Sequence, residues 1–537
     1  MAPPTGTIYA HLREEGPRPR RRRRWRWVAA ALLVPALAAG GTLWVLRTEG
    51  TPEQTADDYL DAWTAQSYAT MRELVADPPA DFEQWHRRFL TDLKAMHASF
   101  YRPIPNGVFA QTVGDDDTVS FQAKILGARD WNYDGKLKLV ERDGRWKVAW
   151  TPATLHHRLV GKGRSLRAVT RPGEPAHVQA ADGRRIDTPD TPGSVQQLVE
   201  GLKQTYPDWF APYKETTIEL YEGDRPVETL VAAGGKVPLK TTIDLKVHRA
   251  GAAALEGVDK PASLVALRPS TGEILAVVNK PGGFNRALLG KYPPGSTFKV
   301  VTASALVADG AKPDAQVKCP AEQNIGGFPF HNAGFKDYGT LPFRDAFAHS
   351  CNTTFGAMTV DRLGADRLAK VAADFGFGAA ITPGVPAVKA EFPAPKDDTD
   401  LASAAIGQGR VLASPLNMAS VAAAVAAGAW WPPRLVPEER MPDHTLRPRP
   451  LEKNVVRALR DLMPAVVTDG TAHDVSFPEG TAGKTGTAEY GSGKEPPAHS
   501  WFVGYRGDLA FAVIVEGAGA GSAVAAPVAA RFLKALA

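Results

Sequence analysis

The stretch Pro293-Pro294-Gly295-Ser296-Thr297-Phe298-Lys299-Val300 decides how this chain is read. Two prolines and a glycine break the preceding segment, and an apolar run with helical character follows from Phe298 to Val307. Ser296 is therefore expected to open a helix. Lys299, three residues on, falls on the same face one turn later. A serine hydroxyl is a weak nucleophile until a base takes its proton, and a lysine held neutral by desolvation and neighbouring cations can be that base. A helix start also directs backbone N–H groups at a developing oxyanion. Alone, the Ser-x-x-Lys spacing is met about once or twice by chance in a chain of this length, and a helix cap followed by a surface lysine would satisfy it.

Two further words lie downstream. Ser350-Cys351-Asn352 stands between the helical stretches FRDAFAH and TTFGAM, and Lys484-Thr485-Gly486-Thr487 lies in TAGKTGTAEY, just before the strand-like SWFVGY. In this order the three elements resemble the Ser-x-x-Lys, Ser-x-Asn and Lys-Thr-Gly signature of penicillin-binding proteins and serine β-lactamases. The surrounding words TTIDLKVHRA, RPSTGEILAVV, GQGRVLASPLNMA and SWFVGY resemble class B penicillin-binding proteins, in that family's order. The resemblance covers the chain from about Lys240 to the C-terminus.

That resemblance implies a serine β-lactamase/transpeptidase-like α+β domain over 241–537 and a peptidoglycan D,D-transpeptidase activity. Ser296 would attack the carbonyl between the two terminal D-alanines of a stem peptide and form an acyl-enzyme, as it would with β-lactam antibiotics. Lys299 would be the base. Ser350 would relay a proton to the leaving amine, and Asn352 would orient Lys299 and bind a substrate amide. Lys484, Thr485 and Thr487 would hold the substrate carboxylate by charge-assisted hydrogen bonds. Gly486 would keep the strand open for substrate, and the N–H groups of Ser296 and Thr487 would form the oxyanion hole.

The same fold also supports D,D-carboxypeptidase or β-lactam-hydrolysing enzymes, and non-catalytic β-lactam sensors or division scaffolds. Class D β-lactamases normally carry valine where Asn352 stands, and a scaffold is expected to have lost catalytic residues. All three motifs are complete here.

The strand pattern agrees with an antiparallel sheet bearing helices on its faces. LVALRP and EILAVVN read as a hairpin across Ser270-Thr271-Gly272, SWFVGY and LAFAVIVE as neighbouring strands, with alanine-rich helical stretches between. Upstream, the segment from Thr51 to about Ala76 carries Ala56, Tyr59, Leu60 and Trp63 at helical spacing. From Val119 the period changes to two, and KLKLV and RWKVAW join through Asp143-Gly144, a hairpin-turn signal. One or two helices on a curved antiparallel sheet, a small cone-shaped α+β domain over 51–160, would satisfy this pattern. It is similar to the transport-factor-like domain of low-affinity, methicillin-resistance-type penicillin-binding proteins. The Gly-, Pro-, Arg- and Asp-rich segment 161–240 reads as a linker or reduced, dimerisation-type pedestal. The Arg-Gly-x-Ile-x-Asp-Arg-x-Gly stretch usual there in class B proteins is not reproduced by Arg171-Pro172-Gly173 or Asp182-Gly183.

With 537 residues, 44% hydrophobic and 23% charged, the chain falls among ordinary globular proteins and is long enough for two or three domains. Its formal charge of +5 comes largely from Arg20–Arg24 and Arg26 in a basic tail, 1–26. About 20 uncharged residues follow, 27–46, the length of a bilayer-spanning helix. Basic residues before that span place the N-terminus inside and the rest of the chain outside the cytoplasmic membrane as a single-pass protein. They are read as topogenic, so no nucleic acid partner is expected. Ala36-Leu37-Ala38 resembles a signal cleavage site, but the apolar run continues past it to Leu46. Division or elongation membrane proteins are further expected partners. Only Cys319 and Cys351 occur, which permits one disulfide without requiring it. Neither CxxC nor HExxH is present, so no metal site and no cofactor is expected. His349 reads as a structural neighbour of Ser350, Glu489 with GSGKEPP as a hairpin turn, and GAGAG near the C-terminus as too weak for a dinucleotide loop.

Overall fold

Alternation of Val119, Phe121, Ala123 and Ile125 puts these side chains on one face of a strand, and all four are buried. The computed structural model describes residues 49–103, 117–442, 445–491 and 496–537. The basic tail 1–26 and the expected membrane span 27–46 lie outside them. Among the described residues no helix is long and apolar enough to cross a membrane. The described residues divide into two compact units, one made of those up to Arg171 with Lys214–Gly234, the other of Pro172–Tyr213 with those from Gly235 onward.

In the first unit helix α1, Pro52–Thr64, starts at Thr51, whose hydroxyl accepts from the Gln54 N–H, with Pro52 in the first turn. The single helix expected from Thr51 to about Ala76 is in fact two. The backbone turns left-handed at Gln66 (φ 53°) and resumes as α2, Tyr68–Glu73, which lets Trp63 and Met71 both reach the core. Helix α3, Phe82–Asp92, completes the helical side. Strands β1 (Ala95–Tyr101), β2 (Thr118–Gly127), β3 (Trp131–Arg142) and β4 (Arg145–Val148) form an antiparallel sheet in that order. Asp143 and Gly144 both have positive φ, as the tight β3–β4 turn requires. Trp63 stacks on Phe100 at 3.6 Å in the centre of this core.

The segment 161–240, expected to be a linker or a reduced pedestal, carries its own strands and helices and is shared between the units. Strands β5 (Arg164–Pro172), β6 (Lys214–Glu222) and β7 (Arg225–Val231) form a sheet whose Leu166, Ile218 and Leu220 join the first unit's core. Arg171, the nearest match to the missing pedestal motif, pairs with the buried Glu219 inside that sheet. Helix α4, Gly193–Thr205, buries Val195, Leu198, Val199 and Leu202 in the second unit.

The second unit is built on a five-stranded antiparallel sheet. Strands β8 (Ala262–Arg268), β9 (Glu273–Lys280), β10 (Ala482–Glu489), β11 (Ala498–Arg506) and β12 (Leu509–Val515) are ordered β9-β8-β12-β11-β10. The central strands read as continuous apolar runs because helices cover both faces. Helices α5 (Leu245–Ala254) and α11 (Ala525–Lys534) pack together on the sheet, and the alanine-rich α9 (Pro415–Ala427) packs on β8, β11 and β12. The remaining helices that matter for the site are α6 (Lys299–Ala308), α7 (Phe343–Ala348), α8 (Asn352–Met358) and α10 (Lys453–Thr468). Strand β10 is left at the sheet's edge, and the site forms along it.

Candidate active site

Ser296 sits in a 3₁₀ turn, Gly295–Phe298, that leads directly into α6. The turn is wedged between two glycines. A Cβ on Gly486 of β10 would lie 2.8 Å from Thr297 Cγ2, and one on Gly407 would lie 2.1 Å from the Gly295 carbonyl. Gly295 itself has a positive φ of 54° and donates its N–H to the Gly407 carbonyl at 2.8 Å. Gly486 thus serves close packing of the nucleophile's turn on the strand, since the space of its missing side chain belongs to Thr297 and Trp501.

Lys299 begins α6 and is fully buried. Its amine lies 2.6 Å from the Ser350 carbonyl, 2.6 Å from Asn352 Oδ1, 3.2 Å from Ser296 Oγ and 3.2 Å from Ser350 Oγ. The two short contacts are to atoms that can only accept. A neutral amine spends its two N–H groups there and turns its lone pair to the two hydroxyls. Burial, and then the neighbouring Lys484 charge, push the Lys299 pKa well below its usual value, which keeps that lone pair free.

Ser350 links α7 to α8 with a left-handed φ of 61°, uncommon for a non-glycine residue. That conformation presents its carbonyl and its hydroxyl to the same amine. Lys484, also fully buried, donates to Ser350 Oγ at 2.9 Å and to the Thr485 carbonyl at 3.1 Å. Burial pushes its pKa down to about 7. Ser350 Oγ therefore bridges the two amines.

The second motif is clamped from behind. Asn332, which nothing in the sequence marked out, accepts from the Asn352 N–H at 2.8 Å and donates to the Pro320 and Lys336 carbonyls. Asn352 uses its own amide to donate to the His331 carbonyl at 2.9 Å. Cys351, the middle residue, is disulfide-bonded to Cys319, tying the motif to strand Gln316–Cys319. The two cysteines that sequence reasoning left unassigned are thus paired.

Thr485, Thr487 and Glu489 line the same 680 Å³ cleft as Ser296, Ser350 and Asn352. Thr471, after α10, reaches Thr485 Oγ1 at 2.6 Å, and the Gly521 N–H donates to Thr487 Oγ1 at 3.3 Å. The GAGAG segment is thus a backing for β10: a Cβ on Gly521 would lie 2.4 Å from the Gly486 carbonyl. His349 stacks on Tyr338 at 4.6 Å and borders the cleft, its pKa lowered by burial. Glu489 ends β10 rather than belonging to a turn, because its period-two pattern continues through it. The structure brings together all eight residues singled out from the sequence.

Residues 262–534 match the penicillin binding protein transpeptidase domain, and residues 51–163 match the NTF2-like N-terminal transpeptidase domain. The chain is 32% identical over 355 residues to the peptidoglycan D,D-transpeptidase PbpA of Mycolicibacterium smegmatis, a match covering 55% of this chain and 71% of that protein. Among solved structures it is similar to penicillin-binding protein A of M. tuberculosis in an imipenem acyl-enzyme complex. That likeness has 29% identity and a TM-score of 0.50 and covers 56% of this chain and 79% of the other. It is also similar to the D,D-transpeptidase domain of a peptidoglycan glycosyltransferase from Eggerthella lenta, with 25% identity and a TM-score of 0.55, covering 68% and 98%.

Proposed function

Because the chain belongs to the penicillin binding protein transpeptidase family, we propose a role for each residue of its cleft in peptidoglycan cross-linking. The protein is a serine-type D-Ala-D-Ala transpeptidase that passes through an acyl-enzyme and is acylated by β-lactams.

One observation carries the assignment of roles: the Lys299 amine lies 3.2 Å from Ser296 Oγ while its two shorter contacts, 2.6 Å each, go to the Ser350 carbonyl and Asn352 Oδ1, an arrangement in which a neutral amine would turn its lone pair to the nucleophile. In acylation the Ser296 oxygen bonds to the scissile carbonyl carbon and its proton passes to Lys299. Ser350, between Lys299 and Lys484, relays a proton to the departing D-alanine nitrogen as the C–N bond breaks. The N–H groups of Ser296 and Thr487 receive the oxyanion. Lys484, Thr485 and Thr487 hold the terminal carboxylate, whose charge favours a protonated Lys484. In the second half-reaction an amine of another stem peptide attacks the acyl carbon, and Ser296 recovers its proton.

We also propose that 27–46 anchors the chain in the cytoplasmic membrane with the catalytic unit outside, where its substrates lie. The arginine-flanked apolar run supports this. Membrane proteins of division or elongation are then the partners it would meet.

Fluorescent penicillin should label the wild type and not Ser296→Ala. Turnover of a donor stem peptide with and without an acceptor amine separates transfer from hydrolysis. A labelled alanine variant, or a product unaffected by acceptor, overturns the assignment. Protease protection in membrane vesicles tests the topology.

A further inference from the structure

Transfer to an amine requires that stem peptides carry a primary amine, and such a group is an ammonium at neutral pH. The same group is therefore present on the donor and on the acceptor. Among the described residues the cleft holds one group suited to it. Of the described residues that line it, Glu489 is the sole carboxylate and none is a lysine or arginine, since Lys299 and Lys484 lie buried beneath. Glu489 is exposed, and among the described residues its side chain has no ion pair or hydrogen bond. An exposed glutamate is commonplace. This one is placed by the register of the catalytic strand.

Thr485, Thr487 and Glu489 alternate along one face of β10. Gly295, just before the nucleophile, abuts the strand where a Cβ would lie 2.6 Å from the Thr487 carbonyl oxygen and 3.1 Å from Ala488 Cβ. Glu489 is the next residue. A donor extended along this edge with its carboxylate at Thr485 and its scissile carbonyl at Thr487 runs on toward Glu489, which stands two residues, about 7 Å, further along the strand. We propose that Glu489 is a specificity-determining residue whose carboxylate receives the primary ammonium of a stem peptide in the cleft. Either stem peptide can supply that group. This inference rests on the transpeptidase reading above.

The test uses the full-length protein in detergent micelles, as wild type, Glu489→Gln and Glu489→Asp. In the donor arm, acylation is compared for a stem peptide with a free side-chain amine and its N-acetylated analogue. In the acceptor arm, the partition of the acyl-enzyme between water and an amine acceptor is followed against acceptor concentration. Glu489→Gln should cost roughly tenfold in one arm, the loss expected of a charge-assisted hydrogen bond that bound substrate covers from solvent, and Glu489→Asp should retain most of the effect. A loss confined to the donor arm assigns the donor's ammonium, and one confined to the acceptor arm assigns the acceptor's. Glu489→Gln matching wild type within about twofold in both arms, against that tenfold expectation, overturns the proposal. So does a wild type indifferent to acetylation that also partitions equally to amine and to neutral nucleophiles. Fluorescent penicillin, which needs no ammonium, separates the two readings. An unlabelled wild type sinks the transpeptidase assignment, whereas a labelled wild type and Glu489→Gln with no amine effect sinks only this one. Should Glu489→Gln label poorly, Glu489→Asp decides, since it keeps the charge and must show the amine preference.

Discussion

Replacing Gly486 by alanine would add one methyl group between β10 and the turn that carries the nucleophile. That carbon would sit 2.8 Å from Thr297 Cγ2, 3.0 Å from the Pro294 carbonyl oxygen and 3.0 Å from Trp501 Cβ. Carbon atoms in contact settle near 3.5 Å, so one neighbour must withdraw by about 0.7 Å. Trp501 is fully buried and its indole N–H donates to the Pro293 carbonyl at 3.1 Å, so it cannot yield cheaply. The displacement falls on Pro294–Thr297, the residues flanking Ser296. Misplacement of a reacting group by about 1 Å can cost about 100-fold in rate, so a shift of this size should slow acylation by roughly 30-fold, about 2 kcal/mol of barrier. Overpacking should also cost about 1–3 kcal/mol of stability. The assay is the second-order rate constant for labelling by fluorescent penicillin, with a thermal melt on the same samples. A variant that acylates within about twofold of wild type, far short of that 30-fold loss, and melts unchanged would refute the claim that this glycine exists for close packing.

Four other outcomes are expected. Asn332→Ala strips the partner from the buried Asn352 N–H and from the Pro320 carbonyl, and at about 1–3 kcal/mol per unmade bond it should lower stability by roughly 2–4 kcal/mol and slow acylation. An unchanged unfolding midpoint in denaturant would contradict this. Since Lys484 must be protonated to hold a carboxylate and burial sets its pKa at about 7, kcat/KM for carboxylate-bearing donors should fall as pH rises through about 7. An esterified analogue should not share that decline. Between that pKa and the ordinary lysine range the unfolded chain binds the proton and the folded one does not, so stability should rise with pH there, and Lys484→Met should flatten the slope of Tm against pH. Replacing Cys319 and Cys351 together by alanine releases a loop closed across a sequence separation of 32, worth about 3–4 kcal/mol by chain entropy, and a melt unshifted relative to wild type would show the cross-link to be neutral.

The residues that were legible in the sequence are those whose chemistry is local. Ser296 and Lys299 share a turn, Ser350 and Asn352 flank one residue, and Lys484 to Thr487 run along one strand, so short words capture each group. Asn332 and Thr471 were invisible because they act on backbone and side chains far along the chain, and a polar residue in a loop carries no periodic signal. Glu489 was obscured by the glycines that follow it, which drew it into a turn although the alternation Thr485, Thr487, Glu489 already placed it on the strand. The two-helix break at Gln66 had no marker, since the left-handed residue there is neither glycine nor asparagine. The elements of segment 161–240 were not legible for a compositional reason: their strands bury few residues and expose polar and charged ones such as Thr170, Arg171, Lys214, Glu222 and Arg225, so their apolar runs are too short to stand out.

Strand β10 ends its sheet, and the peptide N–H and C=O groups of its outer edge are what a substrate would pair with. Most proteins disguise such an edge with a proline, a bulge or an inward charge, because a bare edge recruits any passing strand. Here the protection is built from the site itself: the turn at Gly295–Phe298 packs against β10 at Gly486, the buried Lys484 points inward from the strand, and a carboxylate stands exposed at Glu489. The residues that carry the chemistry are thus also the ones that keep the edge from recruiting another strand.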